Sequence, residues 1–285
     1  MQRERVADDI YVFTSDLYAQ VTAGAVISSE GAIVIDTLAF PEETRAIKHF
    51  LENRLGYPVR VVINTHYHAD HTFGTYLFDG ALVVGHALCR ELLDTRGRKS
   101  MEDARQSASD FADARIVLPG MVFKSGTLSI HLGNKTVELS HMPGHSPDST
   151  ACLVREDRVL FAADTLMPIP YFVDGSYDDF LASLQRLRGH SFECVIQGHG
   201  EVILRGEVDE KLQEDLNYLT LLKKQVEKAL KRQNPDKYLD NLDIEACGKS
   251  RIPLNGAVQA LHRANVRALY RQLRQDAELS RPVSL

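Results

Sequence analysis

The stretch THYHADHT at 65–72 constrains the fold of this chain more than any other. A β-type apolar run directly precedes it, and three of the chain's eleven histidines lie within it around one carboxylate. A strand directs successive side chains to opposite faces, so these side chains can converge only if a tight loop leaves the strand's end here. In such a loop, His66 and His68 can share one cation. Asp70 and His71 can then turn towards a second cation.

Three further turns, each at the end of a β-type run, carry another candidate ligand. His145 stands in PGHS, Asp164 in AADTL and His199 in GHG. A lone buried histidine is more often a packed core residue than a ligand, but seven such positions in one sequence reverse that expectation. Loops at strand ends commonly carry the chemistry of a rigid sheet. Imidazole and carboxylate together suit zinc, iron or manganese.

The order of the predicted elements is typical of an α/β protein. Short β-type runs separated by turn residues at 9–36 predict an antiparallel meander. Pro41 then begins an amphipathic helix, which Gly56 and Pro58 end before the next strand. A strand, a crossover helix and a return strand indicate parallel pairing within an α/β sheet.

Composition and charge exclude several classes of partner. The chain has 285 residues, 44% of them hydrophobic and 25% charged, which is ordinary for a globular protein with a substantial core. A formal net charge of −6 argues against broad electrostatic binding to nucleic acid. No segment has the roughly 18 to 20 consecutive apolar residues that a membrane span needs. We therefore expect a small-molecule substrate, with neither nucleic acid nor membrane as a partner.

The cysteines and the first residues predict the compartment. The four cysteines are widely separated and form no CxxC pair, which indicates buried thiols in a reducing environment rather than a disulfide framework. The first five residues are mostly charged and do not resemble the start of an apolar signal core. A cytoplasmic location is the expectation.

The four motifs together, THYHADH, PGHS, AADTL and GHG, resemble those of the metallo-β-lactamase superfamily in kind and in order. The resemblance covers about residues 1–205. It implies a four-layer αββα sandwich of two mixed β-sheets with outer helices, and a dinuclear site along one edge of the sheets. The implied ligands are, for the first metal, His66, His68 and His145; for the second metal, Asp70, His71 and His199; and, bridging both, Asp164.

The resemblance also implies a reaction class. Two divalent ions, zinc in the first place with manganese or iron as alternatives, would provide a metal-bound hydroxide for hydrolysis. Asp70 could both bind metal and orient that hydroxide. The leading substrate prediction is a small ester-like molecule, such as a lactone or thioester.

Two alternatives stay open at this point. The β-lactamases with zinc–cysteine sites carry cysteine in the third motif, which here reads Ala163-Asp164-Thr165, but a β-lactamase subclass with the HxHxDH loop is compatible with the motifs. Persulfide dioxygenases of the same superfamily keep these loops and use a single iron. Nucleic-acid-processing members insert a large domain between the last two motifs, and the 34 residues between Asp164 and His199 are too few for one.

Other polar residues near the motifs are weaker candidates. Tyr171, seven residues after Asp164, could donate a proton or hydrogen bond to an oxyanion. Tyr67 lies near the ligands by adjacency alone. His86 and His141 are candidates for contacts that orient the ligands from outside.

Two segments outside the motifs have open roles. The polar residues 96–112 predict either a lid over the site or a solvated connection. After the catalytic domain at 1–205, amphipathic patterns at 207–232 and 256–276 predict a helical C-terminal extension, 206–285, without a chemical motif. We expect it to pack on the catalytic domain or against a second copy in a homodimer, with a wall of the substrate pocket as the alternative.

Overall fold

The computed structural model describes residues 1–279, and its strands form two sheets. The first sheet has seven strands in sequence order. They are β1 (Gln2–Ala7), β2 (Ile10–Thr14), β3 (Thr22–Ser28), β4 (Gly31–Ile35), β5 (Val59–Asn64), β6 (Leu82–His86) and β7 (Met121–Phe123). The strands from β1 to β4 pair antiparallel, and those from β4 to β7 pair parallel, so this sheet is mixed.

The second sheet has six strands in the order β13-β12-β11-β10-β9-β8. They are β8 (Thr127–Leu132), β9 (Lys135–His141), β10 (Thr150–Val154), β11 (Val159–Ala163), β12 (Cys194–Gln197) and β13 (Val202–Leu204). Only β11 and β12 pair parallel; the other neighbours are antiparallel. The predicted meander and the parallel pair of β4 and β5 around a crossover helix are therefore confirmed.

Eight α-helices cover the sheets and form the C-terminal part of the described chain. They are α1 (Pro41–Lys48), α2 (Ala69–Thr72), α3 (Ala87–Leu92), α4 (Arg98–Ser107), α5 (Tyr177–Leu187), α6 (Val208–Leu230), α7 (Pro235–Asp240) and α8 (Val258–Leu279). Wider π-helical turns extend α1 through His49–Arg54 and join α3 to α4 through Leu93–Gly97. Within the described residues, no helix has both the length and the hydrophobicity to cross a membrane.

Three apolar clusters define four layers. The central cluster joins both sheets, with Ile33 and Ile63 from the first and Leu139 and Phe161 from the second. A second cluster packs α1 on the outer face of the first sheet. The third packs α5, α6 and α8 on the outer face of the second sheet. The predicted αββα sandwich of two mixed sheets with a helical C-terminal extension is confirmed.

The burial of the strands explains why these sequences form the centre and the edges. Every residue of β3 and β4 is buried, as expected for strands covered on both faces. At one edge, β1 has the sequence QRERVA, and its first four residues are exposed. Charged side chains on an edge strand oppose pairing with another chain.

The two sheets meet at the edge that carries the histidine motifs. The backbone amide of Thr22 donates to the carbonyl of Gly198 at 2.8 Å, and the Thr22 hydroxyl donates to the carbonyl of Gln197 at 2.7 Å. Val21 forms a further bridge to His199. These bonds tie the GHG turn of the second sheet to the start of β3 in the first.

Candidate metal centre

The histidine loop, residues 65–72, begins at the end of β5 as predicted, and one buried carboxylate binds its first residue. Asp36, which follows β4, accepts hydrogen bonds from the Thr65 amide at 2.9 Å and from the Thr65 hydroxyl at 2.7 Å. Residues 64 to 66 are fully buried, and the loop then enters the short helix α2. The backbone therefore turns sharply at the strand end, and this turn lets neighbouring side chains share one site.

The first ligand group combines His66, His68, His145 and Asp164, whose candidate ligand atoms all lie within 4.8 Å of one another. Nδ1 of His68 lies 3.1 Å from Nε2 of His66 and 2.9 Å from Nε2 of His145. Oδ2 of Asp164 lies 3.1 Å from Nε2 of His145. The sequence resemblance implies these three histidines for the first metal, and the structure brings them together.

The second ligand group combines Asp70, His71 and His199, again within 4.8 Å. Oδ2 of Asp70 lies 3.3 Å from Nε2 of His199 and 3.9 Å from Nε2 of His71. These are the three residues that the resemblance implies for the second metal.

Asp164 lies between the two groups. Its Oδ1 is 3.3 Å from Nε2 of His71, and its Oδ2 is 3.6 Å from Nε2 of His199. Ala163, just before it, has a φ of 44°, which is unusual for a residue with a side chain and turns the chain sharply out of β11. Asp164 thus reaches members of both groups, as its predicted bridging position requires.

Outer contacts direct one nitrogen of each histidine inwards. Their Nδ1 atoms lie 3.1 Å from the Thr65 hydroxyl for His66, 2.8 Å from Asp36 for His71, 2.8 Å from the Tyr171 carbonyl for His145 and 2.9 Å from the Ala19 carbonyl for His199. In His68 the roles are reversed, with Nε2 lying 3.3 Å from Asp174 and Nδ1 facing inwards. Such contacts fix the tautomer and ring orientation of metal-binding histidines.

The chemistry of the donor set fits divalent metal ions. Nε2 of His71 and Oδ1 of Asp164 are buried without a hydrogen-bond partner, which is costly unless another group satisfies them. Burial lowers the pKa of His145 to about 4 and that of His66 well below its usual value, so both present neutral nitrogen lone pairs at neutral pH. An ion with nitrogen and oxygen ligands would satisfy all of these atoms.

The two histidines of the second group, His71 and His199, are protonated in the metal-free chain, whereas His66 and His145 are neutral. Burial opposes a charge on His199, but Asp164 and Asp70 outweigh it and raise the pKa of His199 to about 10. Asp164 and Asp70 likewise raise the pKa of His71 against the effect of burial. Positive charge is therefore held between these carboxylates, where a cation could replace the protons.

A cavity of about 960 Å³ opens over both groups. Tyr171 lines it with its ring centroid 5.9 Å from that of His145, so its side chain lies beside the first group. Burial, with a contribution from Asp174, raises the pKa of Tyr171 and keeps the phenol protonated. Its role as a proton or hydrogen-bond donor stays a prediction.

Two residues at this cavity, Asp174 and Tyr18, were not singled out from the sequence. Asp174 accepts from the Tyr67 hydroxyl at 2.5 Å and from Nη1 of Arg96 at 2.7 Å, in addition to its contact with His68. Tyr18 also lines the cavity, and the charge of Asp70 raises its pKa. An aspartate after a Tyr-Phe-Val run and a tyrosine in a polar turn carry no motif, so only the fold reveals them.

The two outlying histidines do not join the ligand groups. The rings of His86 and His141 stack at 4.0 Å, and their Nε2 atoms lie near the carbonyls of Lys124 and Pro147. Their described contacts hold β6 against the end of β9 rather than orienting a ligand.

The polar segment 96–112 is mostly helical and forms one wall of the cavity. Arg96, Lys99, Ser100 and Asp103 line the cavity, whereas Met101 is buried in an apolar cluster on the other side. The C-terminal extension also lines the cavity, through Leu254, Ala257 and Leu261, and it packs on the outer face of the second sheet.

Two sheets between helices, with histidine and aspartate groups at one edge of the sheets, define an αββα protein with a candidate metal centre. The family model of the metallo-beta-lactamase superfamily matches residues 18–206. The chain belongs to this superfamily, and the resemblance inferred from its motifs is confirmed.

Individual relatives are distant. The 2,4-dinitroanisole O-demethylase subunit alpha of Nocardioides sp. is 24% identical over 213 residues, which are 70% of this chain and 57% of that protein. The acyl-coenzyme A thioesterase MBLAC2 of Bos taurus is 28% identical over 159 residues, 51% of this chain and 55% of that protein. The chain thus spans little more than half the length of these relatives.

A solved structure supports the fold. A metallo-beta-lactamase from Pontibacter korlensis superposes with a TM-score of 0.60 at 20% identity, covering 74% of this chain and 97% of that one. At this identity the similarity concerns the fold alone.

Proposed function

We propose that this chain is a dinuclear metal-dependent hydrolase that acts on a small ester-like substrate, such as a thioester or lactone. The observation that carries the proposal is the position of Asp164, which lies within 3.3 Å of Nε2 of His71 in one group and within 3.1 Å of Nε2 of His145 in the other. A carboxylate shared between two sets of imidazole nitrogens is suited to holding two cations side by side.

The first metal would be held by His66, His68, His145 and Asp164, and the second by Asp70, His71, His199 and Asp164. When bound, such ions supply Lewis-acid polarisation of a carbonyl and a lowered pKa for water. We propose zinc as the bound metal, with manganese or iron as alternatives.

The chain's own residues would orient the reactants. Burial disfavours the charged form of Asp70, but the neighbouring His71 and His199 lower its pKa, so it is ionised and can accept a hydrogen bond from the attacking water. Tyr171 and Tyr18 line the same cavity with protonated phenols and could donate to the substrate's developing negative oxygen.

The cavity walls support an ester with an apolar portion. Leu254, Ala257 and Leu261 line the cavity with apolar side chains, as do Met167 and Val173. Arg96, Lys99 and Ser100 form a polar side. An acyl group could lie along the apolar side while the polar side accommodates the leaving group; the thioesterase named among the relatives is consistent with this class.

Metal analysis combined with a substrate panel tests the proposal. The protein is purified without added metal, its metal content is measured by elemental analysis, and hydrolysis is assayed with lactone, acyl thioester, β-lactam and phosphodiester substrates. We expect two equivalents of zinc or manganese and the highest kcat/KM on a thioester or lactone. One equivalent of iron with oxygen consumption on a persulfide would overturn the proposal, as would a clear preference for β-lactams.

A variant tests the bridging carboxylate. Asp164→Ala should lose the second metal and most of the activity, whereas Asp8→Ala, at a carboxylate that is almost fully exposed, should behave like the wild type. Retention of two metals per chain by Asp164→Ala would contradict the shared position.

A further inference from the structure

The loop between β11 and α5, residues 164–176, orients two ligands of the first group from outside. The carbonyl of Tyr171 lies 2.8 Å from Nδ1 of His145, and Oδ2 of Asp174 lies 3.3 Å from Nε2 of His68. Both nitrogens lie on the side of the ring that faces away from the ligand group. The conformation of this loop therefore determines how two of the three histidines present their inner nitrogens.

Asn265 holds the backbone on both sides of Tyr171. Its Nδ2 donates to the carbonyl of Pro170 at 2.6 Å, and its Oδ1 accepts from the amide of Phe172 at 3.2 Å. The residue lies on α8, and its side chain is fully buried. A single side-chain amide thus fixes two peptide planes, the one that precedes Tyr171 and the one that contains the Tyr171 carbonyl.

The amide of Asn265 is itself held within a buried polar network. Nδ2 also donates to the hydroxyl of Tyr218, which lies 3.0 Å from Nδ1 of His262. Nε2 of His262 lies 3.2 Å from the Leu242 carbonyl. Asn265, Tyr218 and His262 are at most 1% exposed. Satisfied networks of this kind rigidify their surroundings.

The contacts of Asn265 match the chemistry of an asparagine. The loop presents one backbone acceptor, the carbonyl of Pro170, and one backbone donor, the amide of Phe172. They lie 95 and 93 residues before Asn265 in the sequence, so one side chain must both donate and accept. A primary amide offers both on one planar group, whereas a carboxylate offers only acceptors and an aliphatic side chain neither.

We propose that Asn265 is a positioning residue for the metal centre. By fixing Pro170 and Phe172, it sets the direction of the Tyr171 carbonyl and, through that carbonyl, the ring of His145. The C-terminal extension is then part of the metal centre's support as well as a cavity wall. This inference rests on the ligand groups of the proposed function.

The test compares Asn265→Leu with a control in the same buried network. Asn265→Leu keeps the number and branching of the side-chain heavy atoms and removes both bonds to the loop, whereas Tyr218→Phe removes a hydroxyl of the network and leaves both bonds in place. Zinc affinity is measured by competition with a chromophoric chelator, and the visible absorption of the Co²⁺-substituted protein reports the coordination of the first group. Unfolding temperature is recorded for each metal-free protein.

We expect the first ligand group of Asn265→Leu to bind zinc about tenfold less tightly than that of the wild type, at the lower end of the loss seen when outer contacts of ligands are removed. Its Co²⁺ absorption should change in position or intensity. Tyr218→Phe should keep the affinity and the spectrum of the wild type at a comparable loss of unfolding temperature. A purely structural role for Asn265 would give both variants the same result.

A second variant keeps the test informative if Asn265→Leu does not fold. Asn265→Ser keeps the position polar and leaves room for water, while its hydroxyl is too short to hold both backbone groups, so the same loss of affinity is expected. Wild-type zinc affinity and an unchanged Co²⁺ spectrum in both Asn265 variants would overturn this inference alone. A wild-type protein that takes up no metal would overturn the proposed function, and this inference with it.

Discussion

Oδ2 of Asp36 lies 2.8 Å from Nδ1 of His71, and both side chains are buried. The same carboxylate accepts both bonds from Thr65, so it joins the base of the histidine loop to a ligand of the second group. Asp36 has a φ of 59°, a left-handed conformation that turns its side chain below the loop at the end of β4.

Replacing this carboxylate should weaken the second metal position. We expect Asp36→Asn to lower the affinity for the second equivalent of zinc by roughly 10- to 100-fold, because the amide accepts less strongly from the imidazole of His71. Asp215→Asn, at a buried carboxylate paired with Lys211 and Lys249, is the matched control and should leave zinc affinity unchanged. Isothermal titration calorimetry with zinc measures the affinity of both variants. Equal affinities in the two variants would show that Asp36 supports only the loop.

A methyl group at Gly198 should displace Asp164. An added Cβ would lie 1.8 Å from Oδ1 of Asp164 and 2.8 Å from the backbone of Ala163, so no side chain fits without moving the carboxylate. We expect Gly198→Ala to lose at least one metal equivalent and to lower kcat/KM by about 100-fold, comparable to the loss of one charge-stabilising group. Gly206→Ala, where nothing lies within 4 Å of the added carbon, should match wild type in both. Full metal content in Gly198→Ala would show that the turn has room to adjust.

The sequence predicted the parts of the site that lie at strand ends. Each of the seven candidate ligands follows a β-type run or stands in the loop after one, and the continuous apolar character of these runs made them recognisable. Small residues beside Asp164 and His199 marked sharp turns. The tight loop suggested that His66 and His68 share one cation and that Asp70 and His71 face a second. The assignment of the ligands in the other three turns came from the family resemblance, since spacing along the chain does not determine which turns meet in space.

The residues that support the ligands could not be read from the sequence. Asp36, Asp174 and Asn265 each make a contact at the site with a residue at least 29 positions away in the sequence. Asn265 acts only through the backbone of the 164–176 loop, and none of the three belongs to a motif. The strand β1 was also missed, because charged residues on an exposed edge show none of the alternation that identifies a half-buried strand. The cytoplasmic location and the homodimer stay predictions.

Removing the phenol of Tyr171 tests its predicted catalytic role. Tyr171→Phe keeps the backbone carbonyl that contacts His145, so metal content should not change. If the hydroxyl donates to the oxyanion, kcat should fall by about 100-fold with little change in KM, because the bond forms mainly in the transition state. Tyr57→Phe, at an exposed tyrosine that lines a different pocket, is the control. An unchanged kcat on the best substrate would make Tyr171 a cavity wall only.

Metal uptake should release protons from the second group. The pKa of His199 is raised to about 10 and that of His71 is raised well above its usual value, so both imidazoles carry a proton at neutral pH in the metal-free chain. A metal ion can bind their inner nitrogens only after those protons leave, and zinc should displace about two protons per chain at pH 7. Apparent affinity should therefore rise with pH and level off as the solution approaches the raised pKa of His199. Calorimetric titrations in two buffers with different ionisation enthalpies give the proton count, and His49→Gln, at an exposed histidine outside the site, should leave it unchanged. Zinc binding at full stoichiometry without proton release would show that these histidines are neutral before the metal arrives, and that the carboxylates around them do not hold positive charge in the metal-free protein.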